Sequence, residues 1–142
     1  MEELDFEAEH RVGHLLRRAY HRAKGNTTRL LKDIGVTPMQ AATIMTLRRR
    51  GPLSQADLGR AIGMEPANVH GLVARLKKQS LIDVDEHPSD QRQVIVALSS
   101  EGARQAGAIA ELSLQSATET LEPLTPAERG HLMELLARIA LD

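Results

Sequence analysis

The stretch from Ser54 to Leu76 constrains this chain more than any other. Ser54-Gln55-Ala56-Asp57 has the form of a helix start, a Ser cap with an acidic side chain three residues on, and Leu58, Ala61 and Ile62 give that helix a short apolar face. Gly63-Met64-Glu65 turns the chain. Pro66 then stands where a helix tolerates proline, at its first position, and Val69, Leu72, Val73 and Leu76 form one apolar stripe in the helix that follows. Two short helices joined by a glycine-containing turn make a helix-turn-helix.

The flanking segments extend the pattern. Leu81-Ile82 reads as a short strand, Asp85 to Gln91 is polar and contains Pro88, and Gln93 to Leu98 is rich in β-branched residues, so a hairpin or wing follows the second helix. Upstream, Thr37-Pro38-Met39-Gln40 is a capping box with proline at the first helical position, and Gly51-Pro52 ends the helix it opens. Before that, Val12, Leu15, Leu16, Ala19, Ala23, Leu30, Leu31 and Ile34 recur at helical spacing in one long amphipathic helix, with Gly25-Asn26 as a place for a bend. Beyond Ser99, two helices are expected, roughly Glu101 to Leu121 and, behind a box at Thr125-Pro126-Ala127-Glu128, one carrying Leu132, Leu135, Leu136 and Ile139.

The expected fold is mainly α (α+β), a single domain over 1–142. A winged helix-turn-helix occupies 36–99, and helices in 1–35 and 100–142 serve dimerisation. The middle is too small to cover the apolar stripes of the end helices, which the same helices of a second copy would bury in a twofold dimer. A monomer with its end helices folded onto its own middle is the other reading.

Composition narrows the chemistry. The only aromatics are Phe6 and Tyr20, so the core is aliphatic, and stacking of single-stranded bases on aromatic platforms is excluded. With no cysteine there is no disulfide, thiolate metal site or thiol-based oxidant sensing. No apolar run approaches the ~20 residues that span a bilayer, and the start, Met1 to Asp5, is acidic, so the expected location is cytoplasmic, without a membrane partner. The net charge of -1 hides an asymmetry: 36–99 holds eight basic residues against six acidic ones, whereas 100–142 holds three against seven. Attraction to phosphates depends on the local field, so an acidic tail is compatible with a DNA-binding middle.

In a helix-turn-helix the second helix enters the major groove with its early residues at the base edges. The apolar stripe turns Ala67, Asn68, His70, Gly71, Ala74, Arg75 and Lys78 outward, and Pro66 at the helix start is counted with the expected DNA contacts. Asn68 can pair bidentately with adenine, His70 can donate to guanine or a phosphate, and Arg75, Lys77 and Lys78 suit phosphates. Arg92, just past the wing tip, is a candidate for the adjacent minor groove, with Asp90 orienting it. Catalysis has no foothold: the chain lacks a glycine-rich phosphate loop and a nucleophile elbow. His10 and His14 stand four apart, but no Glu follows His10 as a zinc-protease motif requires, and no metal or cofactor is expected. The rival reading is a winged-helix protein-interaction module without DNA binding, permitted by the modest basic surplus and by Asp83, Asp85 and Glu86.

The segments Gly51 to Gly59, Leu72-Val73-Ala74-Arg75-Leu76, Leu81-Ile82, and Ser89-Asp90-Gln91-Arg92 leading to Val96-Ala97-Leu98-Ser99-Ser100-Glu101-Gly102 resemble the multiple-antibiotic-resistance regulator (MarR) family over almost the whole chain. The resemblance implies an obligate homodimer that binds pseudo-palindromic double-stranded operators, usually as a repressor, and is released by small aromatic or anionic ligands. Ser54 and Gln55 join the expected DNA contacts. The chain departs from the pattern at Ser80, where Gly is common, at Val84 and Asp85, where basic residues are frequent, and at Gly71, where many members carry a contact side chain. Ser54-Gln55, Leu58-Gly59-Arg60, Met64 and Gly71 are similar to a branch controlling aromatic-acid catabolism. That likeness implies an aromatic carboxylate effector between the first helix and the DNA-binding lobe, met by His14, Arg17, Arg18 and His21 beside Ile44, Met45 and Met64.

Overall fold

The computed structural model describes residues 6–86 and 94–141, with side chains over 11–85 and 94–141. Its elements run α1 (Phe6–Leu31), α2 (Pro38–Arg50), β1 (Leu53–Ser54), α3 (Gln55–Ile62), α4 (Pro66–Lys78), β2 (Ile82–Glu86), β3 (Val94–Leu98), α5 (Ser100–Thr120) and α6 (Pro126–Ala140). This is a winged helix, mainly helical with one small sheet.

Helix starts follow side-chain chemistry. Thr37 accepts the Gln40 amide at 3.2 Å while Gln40 Oε1 accepts the Thr37 amide at 3.0 Å. Thr125 and Glu128 close the same reciprocal box at α6. Ser54 caps α3 by accepting the Asp57 amide at 3.1 Å, but Asp57 gives no reciprocal bond because its carboxylate pairs with Arg60. Gly63 ends α3 in the left-handed region at φ 68°, where only glycine is unstrained.

The sheet has the order β1-β3-β2, antiparallel throughout, with Leu53 opposite Val96 and Ile82 opposite Leu98. The two-residue β1 was not expected from the sequence. It covers the edge of β3 that would otherwise lie open, and so ties the end of α2 to the root of the wing.

Leu31, Val36, Ala41, Ile44, Leu47, Leu58, Val69, Leu72, Val73, Leu76, Leu81, Ile82, Val96, Ala106 and Ile109 form one continuous core. Among the residues whose side chains are described, Leu31 is the one core residue of α1, and Ala106 and Ile109 are those of α5. The first helix runs unbroken through Gly25-Asn26, because the α1–α5 seam supports it there. Asn26 Nδ2 donates to Thr120 Oγ1 at 3.0 Å, the Thr27 and Ser116 hydroxyls pair at 2.7 Å, and Arg29 pairs with Glu119. By contrast, α6 has no buried residue, and Val12, Leu15, Leu16, Tyr20, Leu114, Met133, Leu135, Ile139 and Leu141 are exposed.

Where the wing meets α5 the backbones approach closely. Ser99 caps α5 by accepting the Gly102 amide at 3.0 Å and donates its hydroxyl to the Ser80 carbonyl at 2.6 Å. The Ser99 amide donates to the Leu81 carbonyl at 3.1 Å, and a Cβ on Gly102 would lie 2.0 Å from that oxygen. Only glycine fits. Ser80 itself is held at φ 62°, a conformation that L side chains adopt at a cost.

Candidate nucleic-acid interface

The outward face of α4 is defined by what the helix buries. Val69, Leu72, Val73 and Leu76 are buried, Gly71 is half-buried, and Pro66, Ala67, Asn68, His70, Ala74, Arg75, Lys77 and Lys78 are exposed. Close contact with α3 sets the angle of α4. A Cβ on Gly59 would stand 2.9 Å from Val69 Cγ2 and 3.3 Å from the Met64 carbonyl, so a side chain there would push the two helices apart. The sequence contains this requirement as a glycine inside an apolar-faced helix, a sign of close approach that only the packing explains.

The exposed residues of α4 fall on two rims. On one side, Asn68, Gly71 and Arg75 border a cleft of about 310 Å³ together with Thr37 and Gln40 of α2. On the other, Pro66, His70 and Lys77 border a cleft of about 600 Å³ with Gln55 and Met64, closed by Val84 and Val94 of the wing strands. Ala67 and Ala74 form the low ground between the rims, and Lys78 lies at the C-terminal end of the helix. Pro66, Asn68, His70, Arg75 and Lys78 thus share one solvent-facing surface beside Gln55. Ser54 is occupied as the α3 cap. Asp90 and Arg92 lie outside the described residues.

Arg75 departs from the simple expectation of a side chain extended toward a phosphate. Its Nε–H donates to the Gly71 carbonyl at 3.2 Å, folding the side chain back along its own helix. Nearby charges are partly spoken for. Arg60 hydrogen-bonds the Asp57 carboxylate and, with the Ser54 cap, holds Asp57 below its ordinary carboxylate range. Arg48, Arg49 and Arg50 end α2, where cations favour the helix dipole, and Arg48 also donates to the Ala106 carbonyl of α5 at 3.3 Å.

The residues expected around an effector are not brought together within one subunit. His14, Arg17, Arg18 and His21 are exposed on one face of α1, opposite the Val12, Leu15, Leu16, Ala19 and Ala23 stripe by helical periodicity. Ile44 is fully buried in the core and Met45 is half-buried. Met64 faces both α4 clefts, which are walled by α2, α3, α4 and the wing strands rather than by α1. The described His, Asp and Glu side chains form no group of three able to hold a metal.

Residues 34–93 match the model of the MarR family. The transcriptional repressor NicR of Pseudomonas putida is 34% identical over 134 residues, 94% of this chain and 85% of NicR. The chain belongs to the MarR family. Among solved structures, Bordetella bronchiseptica BpsR, studied for regulation of its DNA binding by 6-hydroxynicotinic acid, superposes with a TM-score of 0.87 at 33% identity, covering 92% of this chain and 98% of BpsR. A variant of E. coli MarR complexed with operator DNA shares the fold, with a TM-score of 0.84 at 19% identity over 96% of this chain and 99% of that one. In this fold α4 is the second helix of the helix-turn-helix and β2–β3 form the wing strands that follow it. No helix among the described residues is long and apolar enough to cross a membrane.

Proposed function

We propose that the protein is a homodimeric, sequence-specific repressor that binds pseudo-palindromic double-stranded DNA in the cytoplasm and releases it on binding a small aromatic carboxylate. The observation that carries this reading is α4, which buries every branched aliphatic side chain it has and turns Asn68, His70, Arg75, Lys77 and Lys78 to solvent beside the wing. The uncovered stripes on α1 and α6 support a twofold partner, with 1–35 and 100–142 as the dimerisation segments. Such a dimer must set its two recognition helices about 34 Å apart to enter successive major grooves.

The effector class rests on the likeness to BpsR and NicR, and on the basic face formed by His14, Arg17, Arg18 and His21. Because those side chains are uncovered in one subunit and lie opposite the α1 stripe, an apolar wall for the ring has to come from a part of the second copy that packs on the basic face, apart from the stripe contact. A ligand that favours one spacing of the lobes over another would weaken operator binding by about 5- to 150-fold.

Selection of operators from random duplexes, followed by binding at two salt concentrations, tests the DNA reading. Enrichment of an inverted repeat with steep salt dependence is expected, and equal affinity for all sequences would overturn it. Titrating the operator complex with 6-hydroxynicotinate, nicotinate, benzoate and salicylate tests the effector. Should none displace DNA at millimolar concentration, the effector reading falls and the DNA reading stands.

A further inference from the structure

The position of Arg75 assigns it a different task from a phosphate clamp. Its Nε–H is taken by the Gly71 carbonyl at 3.2 Å, and its Nη2 stands 3.4 Å from the point where a side chain at position 71 would begin. The guanidinium therefore lies over Gly71, in contact with the place a Cβ would take, one turn nearer the N-terminus than its own Cα. That brings it from the last turn to the middle of α4, nearer the N-terminal part with which a recognition helix meets the base edges. With Nε engaged, both terminal NH₂ groups remain to donate, and their fork matches the O6 and N7 acceptors of guanine. None of the ion pairs among the described residues uses a cation of α4.

Asn68 lies on the same rim. It precedes Gly71 by three residues, about 4.5 Å along a helix axis, close to the ~3.4 Å spacing of stacked base pairs. We propose that Arg75, tethered over Gly71, is a specificity-determining residue that reads a guanine in the base pair next to the adenine read by Asn68. This rests on the DNA-binding reading above. Gly71 is then part of the readout without touching DNA, because a Cβ there would just meet the Nη2 at 3.4 Å and a longer side chain such as leucine would crowd the arginine out.

The test is operator selection and quantitative binding by the full-length wild type, Arg75→Lys, Arg75→Ala and Gly71→Leu, with Lys78→Ala as a phosphate-contact comparison. Beyond the helix's own backbone and the two chain neighbours, no atom of the described residues but the Arg75 Nη2 lies within 4 Å of a Cβ at Gly71, and leucine is the better helix former, so Gly71→Leu is expected to keep the fold, as a thermal melt would check. Wild type is expected to select a G·C pair beside an A·T pair in each half-site. Arg75→Lys, Arg75→Ala and Gly71→Leu should each lose about 5- to 150-fold of the discrimination at that G·C pair alone. Arg75→Lys, which keeps the charge but not the fork, should leave the salt slope unchanged. If Arg75→Lys or Gly71→Leu retains the wild-type guanine preference, or if Arg75→Ala weakens all sequences equally and lowers the salt slope by about one as Lys78→Ala should, the inference is overturned while DNA binding stands. Failure of the wild type to select any sequence would remove both.

Discussion

The middle of the molecule and its two ends are built from similar helices but differ in what they bury. Between Leu31 and Ile109 every helix and strand supplies or packs against one core, in which Leu31, Ile44, Leu58, Val69, Leu76, Val96 and Ile109 are all but fully buried. The described part of α1 before Ala23 and all of α6 bury nothing, although their apolar residues are as regularly spaced as those of α4. Helical periodicity therefore specifies that a face is to be buried, and leaves open whether the chain itself or a second copy does so. The middle answers within the subunit, whereas the ends do not.

The largest expected effect breaks the ends and spares the middle. Ile139 is 69% exposed in the subunit. If the dimer buries it, Ile139→Asp removes its contact from both subunits at once, about 3–6 kcal/mol at the usual value of a buried aliphatic side chain. Sedimentation should show monomers at micromolar concentration with the helical circular dichroism largely retained. An unaltered dimer would move the interface elsewhere.

The converse substitution is Leu76→Ala, in a residue with no exposure. It should lower unfolding free energy by about 2–5 kcal/mol and cost operator affinity only through the unfolded fraction. Urea unfolding monitored alongside sedimentation separates the two.

A smaller effect uses the two capping boxes as a matched pair. Thr37→Ala and Thr125→Ala each remove a side-chain cap worth about 1 kcal/mol. The first starts a helix of the core and should lower stability as a whole. The second starts α6 and, in the Ile139→Asp monomer, should only raise amide exchange in the first turn of α6. Equal changes in global stability would mean that α6 is integrated with the core after all.

The smallest effect is on acid stability. Glu128 is held below the 4.5 of a free glutamate, chiefly by the Thr125 amide, and Glu101 likewise by Gln105 and Arg104. A carboxylate whose folded value is depressed stabilises the fold above its unfolded value, and this contribution disappears as pH falls from 4.5 through the lower folded value. Glu128→Gln should flatten the acid limb of α6 melting without changing the limb for the core. A limb as steep as wild type would remove Glu128 from the account.

Much of this architecture was legible because local chemistry and global packing agree. Thr37, Ser54 and Thr125 cap the helices their spacing announced, Gly63 makes the expected turn, and the α4 stripe is buried as its offsets require. The unforeseen features depend on partners distant in the chain. Two residues are too few to show alternation, so β1 emerges only when Leu53 meets Val96. Gly25-Asn26 carries turn-forming residues, yet Asn26 finds Thr120 ninety-four positions away and the helix continues. At the candidate interface the exposed face of α4 was legible from its apolar complement, but the backward fold of Arg75 was not, because a rotamer choice leaves no trace in spacing. As a letter in the chain, Gly71 only lacks a side chain, whereas in three dimensions it is the surface over which Arg75 lies.

The close approach of Gly102 to Leu81 has a mechanical consequence. With no room for a side chain between that α-carbon and the carbonyl, and with Ser99 bonded to both Ser80 and Gly102, the root of the wing has no hinge of its own. A hairpin clamped in this way behaves like the short arm of a crank whose shaft is α5. On rigid-body grounds a tilt of α5, which α1 contacts through the Thr27–Ser116 seam, is expected to carry the wing strands with it. The bearing that makes such gearing stiff is one missing methyl group, so a Gly102→Ala chain would be forced apart at the joint, where the Leu81 backbone meets the edge of the core.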